Sequence, residues 1–380
     1  MASNTLKIIN NDFSVDILTL NEYKKFNVID LSLPFNKLQA EQNPSQFISS
    51  FSLPVYIKNI DFLPGFLSSL VTSDIDLSKV IASCSQNYYL KDIVERENLE
   101  NVTFIDLPIR SQKAQEEKVF APTAEFINNL TVNTSKNDVL TQILNGWVFN
   151  GDTSKIAEYI SSILRNEIMG KTTVSDELKY YRFIASTAAA AGTVINYSAL
   201  ANNVGITAPT ARVWLKFLEG TGLVYLVYPM ENVPGKRMMK APKVYFRDTG
   251  ICSYLLQLKD TNELLQSVYY KKLFENFVMN LIRESYIENQ EEISWRFYRD
   301  SNAKEISAII KRDDIVYPVM IDLNSISPNK LNKTFDIIKG YCEENGLRLG
   351  TGVFITSGND SRKLDSGNAI IQINVKDLLK

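Results

Sequence analysis

The chain has 380 residues, of which 45% are hydrophobic and 22% charged, a composition typical of soluble globular proteins with about two or three domains. It has no long apolar run, and its start, MASNTLKIINND, lacks the features of a secretory signal, so we expect a cytoplasmic protein without a membrane partner. Histidine is absent, which excludes Ser-His-Asp, Cys-His and histidine-based metal chemistry. The three cysteines, Cys84, Cys252 and Cys342, fit no zinc or redox spacing.

The net charge of −2 is unevenly distributed along the chain. Between Tyr180 and Arg247 there are eight basic residues, opposed only by Glu219 and Glu231, so this segment carries +6 and the remainder carries −8. A basic module inside an acidic protein raises the question of nucleic-acid binding.

The first 125 residues read as an α/β domain. Short apolar runs separated by polar links predict buried strands of a mainly parallel sheet. These runs are NVIDLSL (27–33), LPVYIKNI (53–60), KVIASCS (79–85) and NVTFIDLP (101–108). LKIINNDF and SVDILTL, nearer the N-terminus, are further candidates, for sheet edges.

From residue 126 to 191 the pattern is helical. Apolar residues recur on one face of a helix from about Lys155 to Ile168, and Thr173 with Asp176 has the form of a capping box for the next helix. Between them, RNEIMGKTT (165–173) ends like a phosphate-binding loop, at Gly170, Lys171 and Thr172. Such a loop needs GxxxxGK[ST] after a strand, whereas Arg165 stands at the first glycine position and a helix precedes it. We therefore interpret this motif as a turn between helices.

The segment INYSALANNVGITAPTARVWLKFLEGTGLVYLVYP (195–229) predicts two helices and a strand. Asn196 or Tyr197 begins the first helix, Val204–Thr207 forms a tight turn, and Pro209 lies in the first turn of the second helix. The expected apolar face of that helix is Val213, Trp214, Phe217 and Leu218. With the strands LVYLVY (223–228) and PKVYFR (242–247) around a basic connection, the pattern indicates a winged helix.

The expected DNA-contacting residues of the winged helix are polar or basic. They are Thr210, Arg212, Lys216, Lys236 and Arg237. Two interpretations stay open here: contact with DNA through these residues, or a winged helix that serves as a rigid lid between domains with an ordinary solvated surface.

Several segments together resemble prokaryotic AAA-type ATPases that carry a winged helix and a C-terminal domain of unknown function. KAPKVYFRDTG (240–250) and FEN (274–276) carry the resemblance, which extends over about residues 27–378. LPVYIKNIDFLP (53–64) resembles the Walker B strand and IASCSQNYYL (81–90) the sensor segment, with IDLPIRS and LNGWVF also in order. The resemblance implies ATP and Mg²⁺ as cofactors and three domains: AAA-like α/β (1–125), helical and winged-helix (126–250), and restriction-endonuclease-like α/β (251–380).

The sequence departs from this family where nucleotide would bind. No phosphate loop precedes FNVIDLSL, and Lys58 and Asn59 stand where the Walker B strand ends in Asp-Glu. In the sensor segment Ser85 and Gln86 are kept, but Cys84 replaces a glycine. Carboxylates hold the metal in such sites, and an ammonium and an amide cannot. We therefore expect a degenerate member without a nucleotide cofactor.

The C-terminal domain departs from its family in the same way. The resemblance implies a metal-dependent nuclease site, with Glu275 on a helix and Glu305 at a strand start, but Ser307 replaces the expected aspartate. Met320 and Asp322 stand where Glu and Lys are expected. The alternative is a migrated site, in which Glu275, Glu305 and Asp322 hold the metal and Lys304 or Lys311 supplies the ammonium. Upstream, Asp248 is expected to cap the helix GICSYLLQL.

Two functions follow from these patterns. The first is a non-catalytic protein that binds DNA or serves as a scaffold, beside an active ATPase relative or another protein. The second is an enzyme, either an ATPase with a displaced nucleotide site or a nuclease with migrated residues. No metal is expected under the first function.

Overall fold

The computed structural model describes residues 4–10, 25–84, 87–107, 120, 138–168, 176–231, 233, 239–358, 360–364 and 369–379. The chain divides into two compact units, residues 1–109 with 212–223 and residues 110–211 with 224–380. In the part of the chain that the structure describes, no helix combines the length and apolarity needed to cross a membrane.

The first unit contains a five-stranded sheet in which every pair is parallel. Its strands are β1 (Leu6–Asn10), β2 (Asn27–Asp30), β3 (Val55–Lys58), β4 (Val80–Cys84) and β5 (Val102–Asp106). Its helices are α1 (Pro34–Gln42), α2 (Pro44–Ser49), α3 (Phe66–Val71) and α4 (Asn87–Arg96). The predicted parallel α/β sheet is thus confirmed, although each predicted strand is shortened to the residues that pair. The expectation that every run is buried is wrong for β2 and β5, because these are the edge strands and their side chains are half-buried or exposed.

The order of the strands is β2–β3–β4–β1–β5, so β1 lies inside the sheet. The expectation that LKIINNDF supplies an edge is therefore wrong, because Leu6, Ile8 and Ile9 are completely buried between two neighbours. SVDILTL lies outside the described residues. The chain leaves β1 toward β2 and leaves β4 toward β5, in opposite directions. In open α/β sheets ligands bind beyond the carboxyl ends of strands at such a reversal.

The second unit is built from helices, a small sheet and a larger mixed sheet. Its helices are α5 (Val139–Asn145), α6 (Thr153–Ile168), α7 (Glu177–Ala189), α8 (Tyr197–Val204), α10 (Thr249–Leu255), α11 (Thr261–Gln266), α12 (Tyr270–Glu288) and α13 (Pro328–Glu344). Helix α9 (Ala208–Gly220) begins in this unit, and its residues from Arg212 onward belong to the first unit. The small sheet has the order β6–β8–β7 and is antiparallel. Its strands are β6 (Thr193–Val194), β7 (Val224–Val227) and β8 (Lys243–Phe246).

The larger sheet has seven strands in the order β14–β15–β13–β11–β10–β9, with β12 paired to β11. They are β9 (Ser294–Arg299), β10 (Glu305–Arg312), β11 (Ile315–Ile321), β12 (Arg348–Leu349), β13 (Gly352–Thr356), β14 (Arg362–Leu364) and β15 (Ile370–Asn374). Helix α13 covers one face with Leu331, Phe335 and Ile338, in a core shared with Tyr298 and Ile306. The sheet is antiparallel from β9 to β11 and parallel from β11 to β15.

The helical predictions around the glycine-lysine motif are partly confirmed. Helix α6 ends at Ile168, so a helix and not a strand precedes Gly170, Lys171 and Thr172, which themselves lie outside the described residues. Helix α7 begins at Glu177, and the Asp176 carboxylate caps it by accepting a hydrogen bond from the Lys179 N–H at 3.0 Å. The helix is thus capped by Asp176, whereas Thr173, the predicted start of the capping box, lies outside the described residues.

The two-helix segment, residues 196–220, follows the prediction closely at its turn. Asn196 caps α8 by accepting from the Ala199 N–H, and Gly205 takes the left-handed conformation, with φ +76°, that ends the helix. Helix α9 then begins at Ala208, with Pro209 in its first turn. Trp214, Phe217 and Leu218 are buried as predicted, together with Ala211 and Leu215. Val213 was also expected to be buried and is 42% exposed, because it lies at the edge of this face.

The connection between β7 and β8 lies along the edge of the larger sheet. The Phe297 N–H donates to the Tyr228 carbonyl at 3.0 Å, and the Met230 N–H donates to the Phe297 carbonyl at 2.7 Å. Met230 and Val233 are buried in the α13-covered core. The expected wing is therefore anchored to β9 at its base, while Lys236 and Arg237 fall outside the described residues.

Candidate functional site

A buried cluster of charges joins β8, α12 and β10. The Lys243 ammonium donates to Glu275 Oε1 at 2.7 Å and also to Glu305 Oε1. The Tyr245 hydroxyl donates to the same Glu275 oxygen at 2.8 Å, and Arg299 Nη1 donates to Glu305 Oε2 at 2.8 Å. The Lys243 side chain is 1% exposed, so its ammonium is buried between two carboxylates and has no contact with bulk water. We call these five residues the Lys243 cluster.

The alternation of a β-strand explains how one strand supplies two partners. Successive side chains of a strand point to opposite faces, so Lys243 and Tyr245 share a face while Val244 and Phe246 share the other. All four residues of β8 are buried, because β8 is the middle strand of its sheet. A lysine at the start of such a strand has no water to solvate it, and carboxylates from two other elements take that role.

The pKa values of the cluster follow from this burial. Desolvation is the largest influence on Lys243 and lowers its pKa, but the charges and hydrogen bonds of Glu275 and Glu305 together raise it above its ordinary value. The stabilising ammonium is therefore fully present below the ordinary lysine pKa and is lost only as pH rises through the raised one. Burial, followed by the charge of Glu275, raises the pKa of Tyr245 well above its ordinary value, so its hydroxyl remains a donor.

Two asparagines of α12 fasten the backbone of β8 next to this cluster. Asn276 accepts from the Phe246 N–H at 2.8 Å and donates to the Phe246 carbonyl at 2.7 Å. One turn later, Asn280 donates to the carbonyls of Phe246 and Arg247 at 3.0 and 2.9 Å. The FEN segment therefore holds β8 in two ways: Glu275 binds side chains of the strand, and Asn276 binds its backbone. Asn280 adds further bonds to the same backbone.

Asp248, which follows β8, holds a second part of the chain. It caps α10 as predicted, accepting from the Ile251 N–H at 3.1 Å, and it also accepts from the N–H groups of Trp147 and Val148 at 2.7 and 3.0 Å. Burial raises the pKa of Asp248, although these backbone N–H groups oppose the rise. Because the backbones approach so closely, a Cβ on Gly250 would lie 2.1 Å from the Asn145 carbonyl oxygen.

The third predicted metal ligand is engaged elsewhere. Asp322 Oδ2 lies 2.7 Å from the Lys271 ammonium, and its Oδ1 accepts from the Asn324 N–H at the end of β11. Lys304 and Lys311, the predicted sources of an ammonium, are exposed. The structure thus brings Glu275 and Glu305 together around Lys243 and pairs Asp322 with a different lysine. Among the described residues, no group of three or more acidic or cysteine side chains could hold a metal ion.

Among the residues predicted to lie at a nucleotide site, those of the first unit that the structure describes contact other protein groups. At the ends of β2 and β3, Asp30 Oδ1 accepts from the Asn59 amide and the Ser32 N–H, both at 2.9 Å. Burial acts to raise the pKa of Asp30, but the hydrogen bonds from Asn59 and Ser32 prevail and lower it. Lys58 extends over the Tyr56 ring, 5.8 Å from its centroid. The Lys58 ammonium cannot bind a cation, and the Asn59 amide is already hydrogen-bonded to Asp30. These two residues therefore do not fit a magnesium site. Ser85 and Gln86 lie outside the described residues.

Only some of the basic residues between Tyr180 and Arg247 are accessible in the structure. Arg212 and Lys216 are exposed on α9, and the Thr210 hydroxyl hydrogen-bonds the Thr207 hydroxyl at 2.8 Å. Two of the eight basic residues between Tyr180 and Arg247, namely Lys243 and Arg247, are buried. The accessible positive charge of this segment is accordingly smaller than the sequence suggests.

Sequence reasoning missed Lys243 as the partner of both glutamates, and it missed Arg299, Asn276 and Asn280. The available signal was a lysine adjoining the apolar and aromatic run VYF, which a strand would bury. A buried ammonium requires carboxylates, but no feature of the sequence shows from which elements they come.

Two family models match parts of the chain between residues 142 and 375. Residues 142–262 match the domain of unknown function DUF8612, and residues 270–375 match the domain of unknown function DUF4143, which is found in AAA-ATPase-associated proteins. No curated protein matches the chain. The first match ends within α11 and the second begins at the start of α12. The Lys243 cluster therefore takes Lys243 and Tyr245 from one matched segment and Glu275, Arg299 and Glu305 from the other.

Replacing Lys243 with methionine should strongly destabilise the second unit. The Lys243→Met variant leaves the nearly buried Glu275 carboxylate without its cation, which typically costs about 3–5 kcal/mol of unfolding free energy. Urea denaturation followed by circular dichroism measures the loss. The matched control, exposed Lys304→Met, should stay within about 0.5 kcal/mol of the native protein. Equal stability of both variants would show that the cluster contributes nothing.

Gly250 and Gly340 offer a second matched pair. Gly250→Ala places a methyl group against the Asn145 carbonyl, an overpacking expected to cost about 1–3 kcal/mol or more. Gly340 lies within α13 with nothing near its would-be Cβ, so Gly340→Ala should stabilise by roughly 0.5–1 kcal/mol. Thermal denaturation of both variants checks the opposite signs, and a neutral Gly250→Ala would refute the close backbone approach.

Proposed function

We propose that this protein is a non-catalytic relative of AAA-type ATPases that binds duplex DNA through its two-helix segment. The observation that carries the proposal is the exposed basic face of α9. Arg212 and Lys216 are exposed there, while Ala211, Trp214, Leu215 and Leu218 of the opposite face are buried. In helix-turn-helix proteins the second helix of such a pair enters the major groove and its outward side chains contact the DNA.

The turn before α9 supports this role because it is fixed by several local contacts. Gly205 ends α8 in the left-handed conformation, and the Ile206 N–H donates to the Ala201 carbonyl. The Thr207 hydroxyl then accepts from the Thr210 N–H at 3.2 Å, which caps the start of α9. A recognition element is more selective when its own geometry is fixed before binding.

The anchored β7–β8 connection favours a scaffold role alongside DNA binding. Its base is hydrogen-bonded to β9, and Met230 and Val233 are buried under α13. These contacts join the base of the β7–β8 connection to the larger sheet, which is compatible with the interpretation as a rigid lid. We propose that DNA contacts from this connection come from Lys236 and Arg237. A protein partner, such as an active ATPase relative, is compatible with the same scaffold.

The non-catalytic half of the proposal rests on how the acidic residues are used. Glu275 and Glu305 are neutralised by Lys243 and Arg299, and Asp322 pairs with Lys271. These side chains do not fit a divalent metal, because a protein ammonium already lies between the two glutamates. The alternative function is an enzyme, a nuclease with migrated residues. It is favoured only by the proximity of Glu275 and Glu305, which both contact Lys243.

The salt dependence of duplex binding tests the proposed function. We expect the logarithm of the binding constant to fall linearly with the logarithm of salt concentration, with a slope that decreases by about 1 for each phosphate contact removed. Arg212→Ala and Lys216→Ala should each weaken binding and reduce the slope, as measured by fluorescence anisotropy with a labelled duplex. The matched control is Lys333→Ala, an exposed lysine on α13. Absence of binding at low salt, or equal effects of all three variants, would refute DNA contact through α9.

A further inference from the structure

The exposed residues of α9 form one stripe along the helix. Pro209, Arg212, Val213 and Lys216 are exposed and follow the spacing i, i+3, i+4, i+7, which places them on one side of a helix that turns about 100° per residue. The buried residues Ala211, Trp214, Leu215 and Leu218 lie on the opposite side. Around the helix axis the order is Arg212, Lys216, Pro209 and Val213, within roughly 100°, so the two cations are neighbours and Val213 lies at the edge of the exposed face.

Val213 is 42% exposed, so its methyl groups are accessible on the same face of α9 as two cations. In the major groove thymine alone presents a methyl group, and apolar side chains contact it. Arg212 and Lys216 on this face supply the positive charge that complements a duplex. We propose that Val213 is a sequence-reading residue that packs against a thymine methyl group. This inference rests on the proposed DNA binding and specifies which base the helix selects.

The neighbouring residues of α9 leave this task to Val213. The Thr210 hydroxyl is engaged with Thr207, so it stabilises the turn. Arg212 and Lys216 carry charges suited to phosphate or guanine. The single carboxylate of the helix, Glu219, is half-buried and follows Lys216 by three residues, at the border of the exposed face farthest from Val213. Among the side chains of the stripe, Val213 and Pro209 are apolar, and Pro209 lies in the first turn beside the cap.

Deoxyuridine, which lacks the methyl group of thymine, tests the proposal directly. The full-length protein first selects from a pool of short duplexes with a randomised centre, and the enriched duplex is then remade with each thymine replaced in turn by deoxyuridine. At one position we expect the replacement to weaken binding roughly fourfold, the effect of one buried methyl group. Val213→Ala should weaken binding of the thymine duplex by a similar factor and should bind both versions equally.

The control variant and the outcomes separate this proposal from DNA binding itself. Val268→Ala removes a valine that is 82% exposed elsewhere and should keep the thymine preference of the native protein. Equal binding of thymine and deoxyuridine duplexes at every position would overturn the role of Val213. So would a pool without enrichment whose binding is still salt-dependent, and both results leave DNA binding in place. No duplex binding at any salt concentration would overturn both proposals.

Discussion

The ammonium of Lys243, held between the carboxylates of Glu275 and Glu305, is the contact on which the second unit depends. Desolvating a charge is expensive, and an ion pair repays that cost only where the geometry is good and the remaining hydrogen bonds are made. Tyr245 and Arg299 supply those remaining bonds. Such a cluster is far more costly to break than to replace as a whole, so each member constrains the others. The segments matching DUF8612 and DUF4143 both contribute to it.

The contacts around the cluster extend this attachment along the chain. Asn276 and Asn280 hold the backbone that continues from β8, and Asp248 at its end holds Trp147 and Val148. The four-residue strand β8 is thereby bound to α12, and Asp248, two residues after it, binds the residues that follow α5. Segments far apart in the sequence thus each supply a partner for the same part of the chain. The anchored β7–β8 connection ties the same region to β9.

The sequence predicted what depends on neighbouring residues and missed what depends on packing. Four apolar runs identified strands of the parallel sheet, although only β3 and β4 among them are largely buried. Asp248 was correctly predicted as a cap, and the start of α8 at Asn196 or Tyr197 was found, because helix starts depend on local interactions. The interior position of β1 was missed, since strand order is set by tertiary packing. Val213 was predicted to be buried because its helical spacing groups it with Trp214 and Phe217, but it lies at the edge of the buried face and is exposed. The glutamates were identified as candidates, but their partner Lys243 comes from a different element, which no local pattern reveals.

The central claim is that Lys243 occupies the place a divalent cation would need between Glu275 and Glu305, so that the carboxylates of this fold serve as attachment points and not as metal ligands. Calorimetric titration of Mn²⁺ into the native protein and into Glu305→Gln tests this claim most directly. The account predicts that the native protein shows no Mn²⁺ binding that depends on Glu305. Stoichiometric binding in the native protein that disappears in Glu305→Gln would contradict it, and would show that the metal displaces the ammonium.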